Sequence, residues 1–293
     1  MSYVLAHWSP GWVALAIWAA AAAAHLCVGR DGTWRSAAFH GGLLAVLLAL
    51  VSPLAYWSLT FIWVRSIQDL LLAVVAPALI MLGAPLRLRS PDARRTRGWL
   101  AGPVAVTLAF NVVWLGGHLP VLYDLAATNT AARYIHWAAY LATGNLFWRQ
   151  LIGPGGPGPA VNMASVPPMR RLALLVATAA ADTILGMVLV FGSGLEYPAY
   201  LAAGHHVLSV VADQQIGGAV LWTGMLPPLI IATVALVLGW LEHEECDELS
   251  RELDRLTGQT PAAGIPPQAG RPAWASSARA AWPARAGYRR PTS

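Results

Sequence analysis

Seven stretches of the chain are almost continuously apolar, at about 11–29, 37–57, 66–86, 98–117, 133–152, 171–193 and 214–241. Each approaches or exceeds the roughly 20 residues that a helix needs to cross about 30 Å of hydrocarbon. An open-ended span can satisfy its backbone groups in lipid only as a helix. The pattern therefore predicts an all-α polytopic membrane protein built as a seven-transmembrane-helix bundle. Pro77 predicts a bend in the third segment, and Pro227-Pro228 a kink in the long seventh.

The polar stretches between and beyond these segments divide the chain. Residues 1–242 are expected to form the transmembrane domain. The connection at 153–169 is a Gly/Pro-rich linker, and 243–256 reads as a short acidic helix with Leu249, Leu253 and Leu256 on one side. The Pro/Ala/Arg-rich stretch at about 257–293 is expected to be a disordered tail beside the anionic leaflet.

Composition agrees with the membrane class: 57% of the residues are hydrophobic and 11% charged, where a soluble domain carries about a quarter charged. There is no lysine, so the net charge of +5 is carried by arginine. That excess is ascribed to loops facing anionic lipid, and nucleic acid is not an expected partner. Arg30, Arg35, Arg87, Arg89, Arg94, Arg95, Arg97, Arg149, Arg170 and Arg171 follow segments one, three and five, against Arg65 and Arg133 on the other side. The bias places the amino terminus outside and the carboxyl terminus in the cytoplasm. No basic region precedes the first apolar stretch, which argues for a retained helix over a signal peptide. Trp8, Trp12, Trp57, Trp63, Trp99 and Trp148 are expected as interfacial anchors. Cys27 and Cys246 are too isolated for a disulfide framework or a thiolate metal site.

Ionisable groups near lipid are costly unless paired or useful. On this topology Arg65, Asp69, Asp124, Asp213 and Gln214 gather at the outer face with His118 and His136, while Asp182 lies deeper. Arg65 and Asp69 share one helix face and can pair. Asp182 has no partner on its own segment and needs one from another helix, or a proton. His118 stands in WLGGHLPVLYD, where Gly116, Gly117 and Pro120 end a helix. His118 and His136 are the candidate metal ligands; capping and ordinary hydrogen bonding are the competing explanations. His205-His206 lie in an outer connection, and His25 and His40 at the inner ends of segments one and two.

Several runs resemble the CtaG-type cytochrome c oxidase assembly factors. They are QDLLLAVVAPALIMLGAPLRL at 68–88, HLPVLYDLA at 118–126, GNLFWRQLIGP at 144–154, YPAY at 197–200 and ADQQIGGAVLW at 212–222. The resemblance implies a bacterial plasma membrane, an oxidase subunit or another assembly factor as partner, and copper as the metal handled, without catalysis. It also marks departures. Where the family has a His-Met-x-x-His motif, this chain has Arg65, Ser66 and Asp69; where a histidine precedes the glycine of helix six it has Asp182. The Glu-His pair of helix five corresponds to His136-Trp137, and a methionine of helix seven to Leu221. Imidazole and thioether suit soft Cu(I), whereas carboxylate and guanidinium do not. The departures predict an ion-paired network of Arg65, Asp69, Asp182 and His136 at this place.

The reading from sequence is a non-catalytic membrane accessory factor for oxidase assembly, assisting copper delivery or insertion at the outer face. Two alternatives stand beside it. One is a proton or metal transporter using Asp69, Asp182 and His136; the other is a structural paralogue that has lost metal binding.

Overall fold

The structure is a computed structural model that describes residues 11–28, 33–83, 102–151, 168–194, 196–203 and 208–257. The described residues are helical, without a strand. Nearly all of the Gly/Pro-rich connection at 153–169 and of the expected tail, together with His205-His206, Trp8, Trp99 and the arginines from Arg87 to Arg97, lie outside them. The chain divides into two units, Met1–His243 and Glu244–Ser293.

In order, the helices are α1 (Trp12–Val28), α2 (Thr33–Val51), α3 (Pro53–Trp57) and α4 (Ile62–Gly83). Then follow α5 (Pro103–Gly117), α6 (Pro120–Thr128), α7 (Thr130–Leu151), α8 (Pro168–Phe191), a 3-10 turn at Pro198–Ala203, and α9 (Val210–Thr257). Prolines open α3, α5 and α6 at positions where a helix has no use for the missing N–H. Ser52 separates α2 from α3: its backbone is extended and its hydroxyl accepts from Leu54 N at 3.1 Å. The expected second span is accordingly two helices.

Among the described residues four helices are long and apolar enough to cross a membrane, with candidate spans Trp34–Val51, Ile62–Gly83, Leu172–Phe191 and Val210–Leu241. The pair α5 and α6, bent by 69°, raises the number to five if it is one broken span. The seven spans expected from sequence are thus not all matched by helices of that length and apolarity. α1 has 17 residues, about 25 Å at 1.5 Å per residue. The 22 residues of α7 include Arg133, His136, Asn145, Arg149 and Gln150. α9 takes in the stretch at 243–256 expected as a separate helix, and it continues through Pro227 and Pro228.

The third segment does depart from regular geometry near Pro77. Residues Leu71–Val75 form a π turn, and the Ala76 N–H reaches back to the carbonyl of Leu71. Proline lacks an N–H for the carbonyl four residues earlier and its ring crowds that group; here it belongs to Ala73. The widened turn absorbs the mismatch, and α7 packs onto it. A Cβ on Gly144 would collide with the Ala73 carbonyl and lie 2.9 Å from the Pro77 ring. α2 fits against the end of α4 in the same way, with Gly42 facing Ile80 and Gly83 facing the Phe39 backbone.

The core between α4, α5 and α7 is aromatic. Phe110 stacks on Phe147 at 4.6 Å and on Trp114 at 6.3 Å. Trp148, expected at an interface, is only 4% exposed. It packs edge-on to Phe147 and helps line an apolar cavity of ≈ 250 Å³ with Leu79, Pro228 and Ile231. By contrast Trp12 is 75% exposed.

Candidate functional site

Four of the expected site residues meet in the buried interior. Arg65 and Asp69 stand one turn apart in the first part of α4, His118 is at the α5–α6 bend, and His136 is in the second turn of α7. Arg65 is 1% exposed and Asp69 0%. Arg65 Nε lies 3.7 Å from Asp69 Oδ2, His118 Nε2 3.8 Å from the same oxygen, and His136 Nε2 3.8 Å from Oδ1. These separations are too long for hydrogen bonds, and none of these atoms has a hydrogen-bond partner among the described residues. The contacts are charge against charge or dipole, strengthened by the low effective dielectric of a buried place.

The bend places His118. Gly116 and Gly117 end α5, and Leu119 enters α6 in an extended conformation ahead of Pro120. A Cβ on Gly117 would strike Tyr140 Oη and come within 2.8 Å of His136 Cε1. The glycine is thus what lets α7 bring its histidine and tyrosine to the end of α5. His118 Nδ1 is 2.8 Å from the carbonyl oxygen of Trp114 and 3.2 Å from Tyr140 Oη. A carbonyl only accepts, so Nδ1 carries a proton, and in neutral His118 the Nε2 lone pair faces Asp69.

Tyrosines enclose the cationic side. The Arg65 guanidinium lies 4.3 Å over the Tyr123 ring, a cation–π contact worth about 2 kcal/mol when desolvated. The Tyr123 ring packs in a tilted arrangement against Tyr197 and Tyr200, with centroids 4.1 Å and 5.8 Å away. Tyr197 Oη donates to the His118 carbonyl at 3.0 Å, and Tyr200 Oη to the Ser58 carbonyl at 3.1 Å. Burial pushes both phenols above their ordinary value, so they remain protonated donors. Sequence reading singled out none of these tyrosines. Their signal was present in the runs HLPVLYD and YPAY, but a tyrosine among apolar residues reads equally well as packing.

The remaining expected residues are placed elsewhere. Asp182 does not join the ion cluster, as the expected network had it. It is 0% exposed, and its Oδ1 accepts from Trp114 Nε1 at 3.1 Å because α8 packs on α5 at that level. One turn away along both helices, Asn111 Nδ2 donates to Thr178 Oγ1 at 3.0 Å. Asp213, in the first turn of α9, accepts from the N–H groups of Ile62 at 2.8 Å and Trp63 at 3.0 Å. It thereby caps α4, whose own N-cap Phe61 offers no side-chain bond. Gln214 accepts from Glu196 N at 2.8 Å and donates to the Gly194 carbonyl at 3.2 Å. Asp124 accepts from Ala199 N at 3.3 Å, tying α6 to the 3-10 turn. His25 and His40 meet with ring centroids 5.2 Å apart, and His25 Nε2 is 3.3 Å from the Gly83 carbonyl.

Among the described residues no three His, Cys, Asp or Glu side chains are grouped so as to hold a metal ion. The four-residue cluster already contains a cation in Arg65, and its two imidazoles are accompanied by a carboxylate, without the thiolate or thioether that selects Cu(I). Its fit to copper is poor.

Comparison with known proteins gives the family. An uncharacterized protein of Mycobacterium leprae (strain TN) is 26% identical over 240 residues, covering 74% of this chain and 35% of its own length. Uncharacterized proteins of Mycobacterium bovis and Mycobacterium tuberculosis are each 26% identical over 242 residues, covering 73% of this chain and 36% of theirs. The chain therefore spans about a third of the length of these curated relatives. No solved structure matches it. The family model of the cytochrome c oxidase caa3 assembly factor (Caa3_CtaG) matches residues 12–243, most of the sequence, and the chain belongs to that family.

Proposed function

We propose that the protein is a non-catalytic accessory factor of the bacterial plasma membrane that binds an oxidase subunit, or another assembly factor, while cytochrome c oxidase is put together. It spans the bilayer seven times, with its amino terminus outside and the Arg65–Asp69–His118–His136 cluster near the outer face. α1, the bent pair α5–α6 and α7 complete the spans that length and apolarity alone assign to α2, α4, α8 and α9. The arginine asymmetry of the loops supports the orientation.

The observation that carries the reading is how the polar groups are used. Arg65, Asp69, His118 and His136 face one another, Asp182 faces Trp114, and Asp213, Gln214 and Asp124 hold backbone N–H groups. Each fastens one element to another. Such a site shapes a surface for a partner, and the poor fit to copper argues that any metal used in assembly reaches the oxidase by a route other than this cluster. Flux of protons or metal would require some of these groups to be released from their partners.

Deletion of the gene, followed by measurement of assembled oxidase in membranes, tests the role. A fall in oxidase, repaired by a wild-type copy, is expected. Unchanged oxidase would reject the assembly function.

A further inference from the structure

We infer that Arg65 is the resident cation of the buried cluster, and that its guanidinium takes the charge position that a metal ion would need between Asp69, His118 and His136. The inference deepens the reading of this cluster as a fastening in an assembly factor. Metal uptake tests the one and oxidase yield the other, so the two fail separately.

The tautomer of His118 leads to it. With Nδ1 committed to the Trp114 carbonyl at 2.8 Å, neutral His118 turns the Nε2 lone pair toward Asp69 Oδ2 at 3.8 Å. A lone pair facing a carboxylate is repulsive unless a cation lies close by. A second imidazole nitrogen, His136 Nε2, stands 3.8 Å from the other carboxylate oxygen. Two donors bound to one zinc ion at about 2.1 Å each are about 3.4 Å apart in tetrahedral geometry. At 3.8 Å each pair is about 0.4 Å wider than that, so the three side chains as they stand are not grouped to hold an ion and would have to close in to ligate one. A histidine whose other nitrogen donates to a backbone carbonyl is also oriented as metal-bound histidines are.

Yet the nearest positive charge is part of the chain. Arg65 Nε is 3.7 Å from Asp69 Oδ2, and its guanidinium is fixed over Tyr123 at 4.3 Å. The side chain is 1% exposed and always charged. A metal ion entering here would meet a like charge at close range in a buried place of low effective dielectric, and the carboxylate that would attract it is already neutralised. Removing the guanidinium leaves one carboxylate and two imidazoles buried without a cation, which is the donor set of a zinc site.

The test is Zn(II) titration of the purified full chain against a competing chelator, with Co(II) absorption as the signature of coordination. Wild type and Arg65→Lys, which keeps the charge, are expected to take up no metal at this cluster. Arg65→Leu, which removes the charge and adds no ligand, is expected to bind one equivalent, and Arg65→Leu with Asp69→Asn to lose it. If Arg65→Leu is unstable alone, Zn(II) supplied during expression and purification should restore its yield and thermal stability. Stoichiometric metal in wild type that His136→Ala removes would overturn the inference. So would a folded Arg65→Leu protein that binds none, or an unfolded one that zinc does not restore.

Discussion

Trp114 donates its indole N–H to Asp182 Oδ1 across 3.1 Å, joining α5 to α8 deep in the apolar interior. The same tryptophan gives its backbone carbonyl to His118, so one residue serves both the ion cluster and the isolated carboxylate. Trp114→Phe should keep the ring packing and leave Asp182 without its donor, at a cost of about 1–3 kcal/mol. Asp182→Asn keeps an acceptor oxygen and should cost less. Thermal unfolding of the two purified variants decides; a larger loss for Asp182→Asn than for Trp114→Phe contradicts the assignment.

Asp213→Ala removes both acceptors from the first turn of α4. A lost cap costs about 0.5–2 kcal/mol. Because the cap comes from α9, amide exchange should rise at Ile62 and Trp63 before it rises elsewhere in α4. Uniform exchange along the whole helix would show that Asp213 acts in some other way.

Glycines at helix contacts give a paired test. Gly144→Ala drives a methyl into the Ala73 carbonyl at the π turn, and overpacking of this kind costs about 1–3 kcal/mol. Gly116→Ala meets nothing within 4 Å and should be neutral or stabilise, by up to about 1 kcal/mol from helix propensity. Equal melting temperatures for the two variants would exclude the close approach of α7 to α4.

Breaking the buried ion pair is expected to have the largest effect. Asp69→Asn leaves Arg65 charged and unpaired inside the chain, a loss of about 3–5 kcal/mol. Asp69→Asn combined with Arg65→Leu should recover part of it, since no unpaired charge remains. A double variant less stable than Asp69→Asn alone would contradict the pairing.

What could be read from the sequence follows from how local each signal is. Long apolar runs gave the helical class, and the spacing of Arg65 and Asp69 gave their pairing, because both depend on neighbours within one helix. Gly116, Gly117 and Pro120 marked the bend that carries His118 for the same reason. Pro77 signalled an irregularity in α4 without specifying that a π turn would absorb it. The cage of Tyr123, Tyr197 and Tyr200 was hidden because its members come from α6 and the 3-10 turn, and its function is to surround an arginine from α4. Asp213 and Gln214 were expected to belong with the cluster by their level in the membrane. They instead serve the start of α4 and the backbone groups of Gly194 and Glu196, because unsatisfied N–H and carbonyl groups there had a stronger demand for them.

The most direct measurement is oxidase yield in cells lacking the gene and complemented with His118→Gln or His136→Gln, grown at low and at added copper. Glutamine keeps a hydrogen-bonding side chain but removes the imidazole ligand. If the cluster fastens helices and copper does not pass through it, both variants should restore oxidase as wild type does at either copper level, as long as the folded protein is present. A deficit at low copper that added copper repairs would contradict this and return the cluster to copper handling.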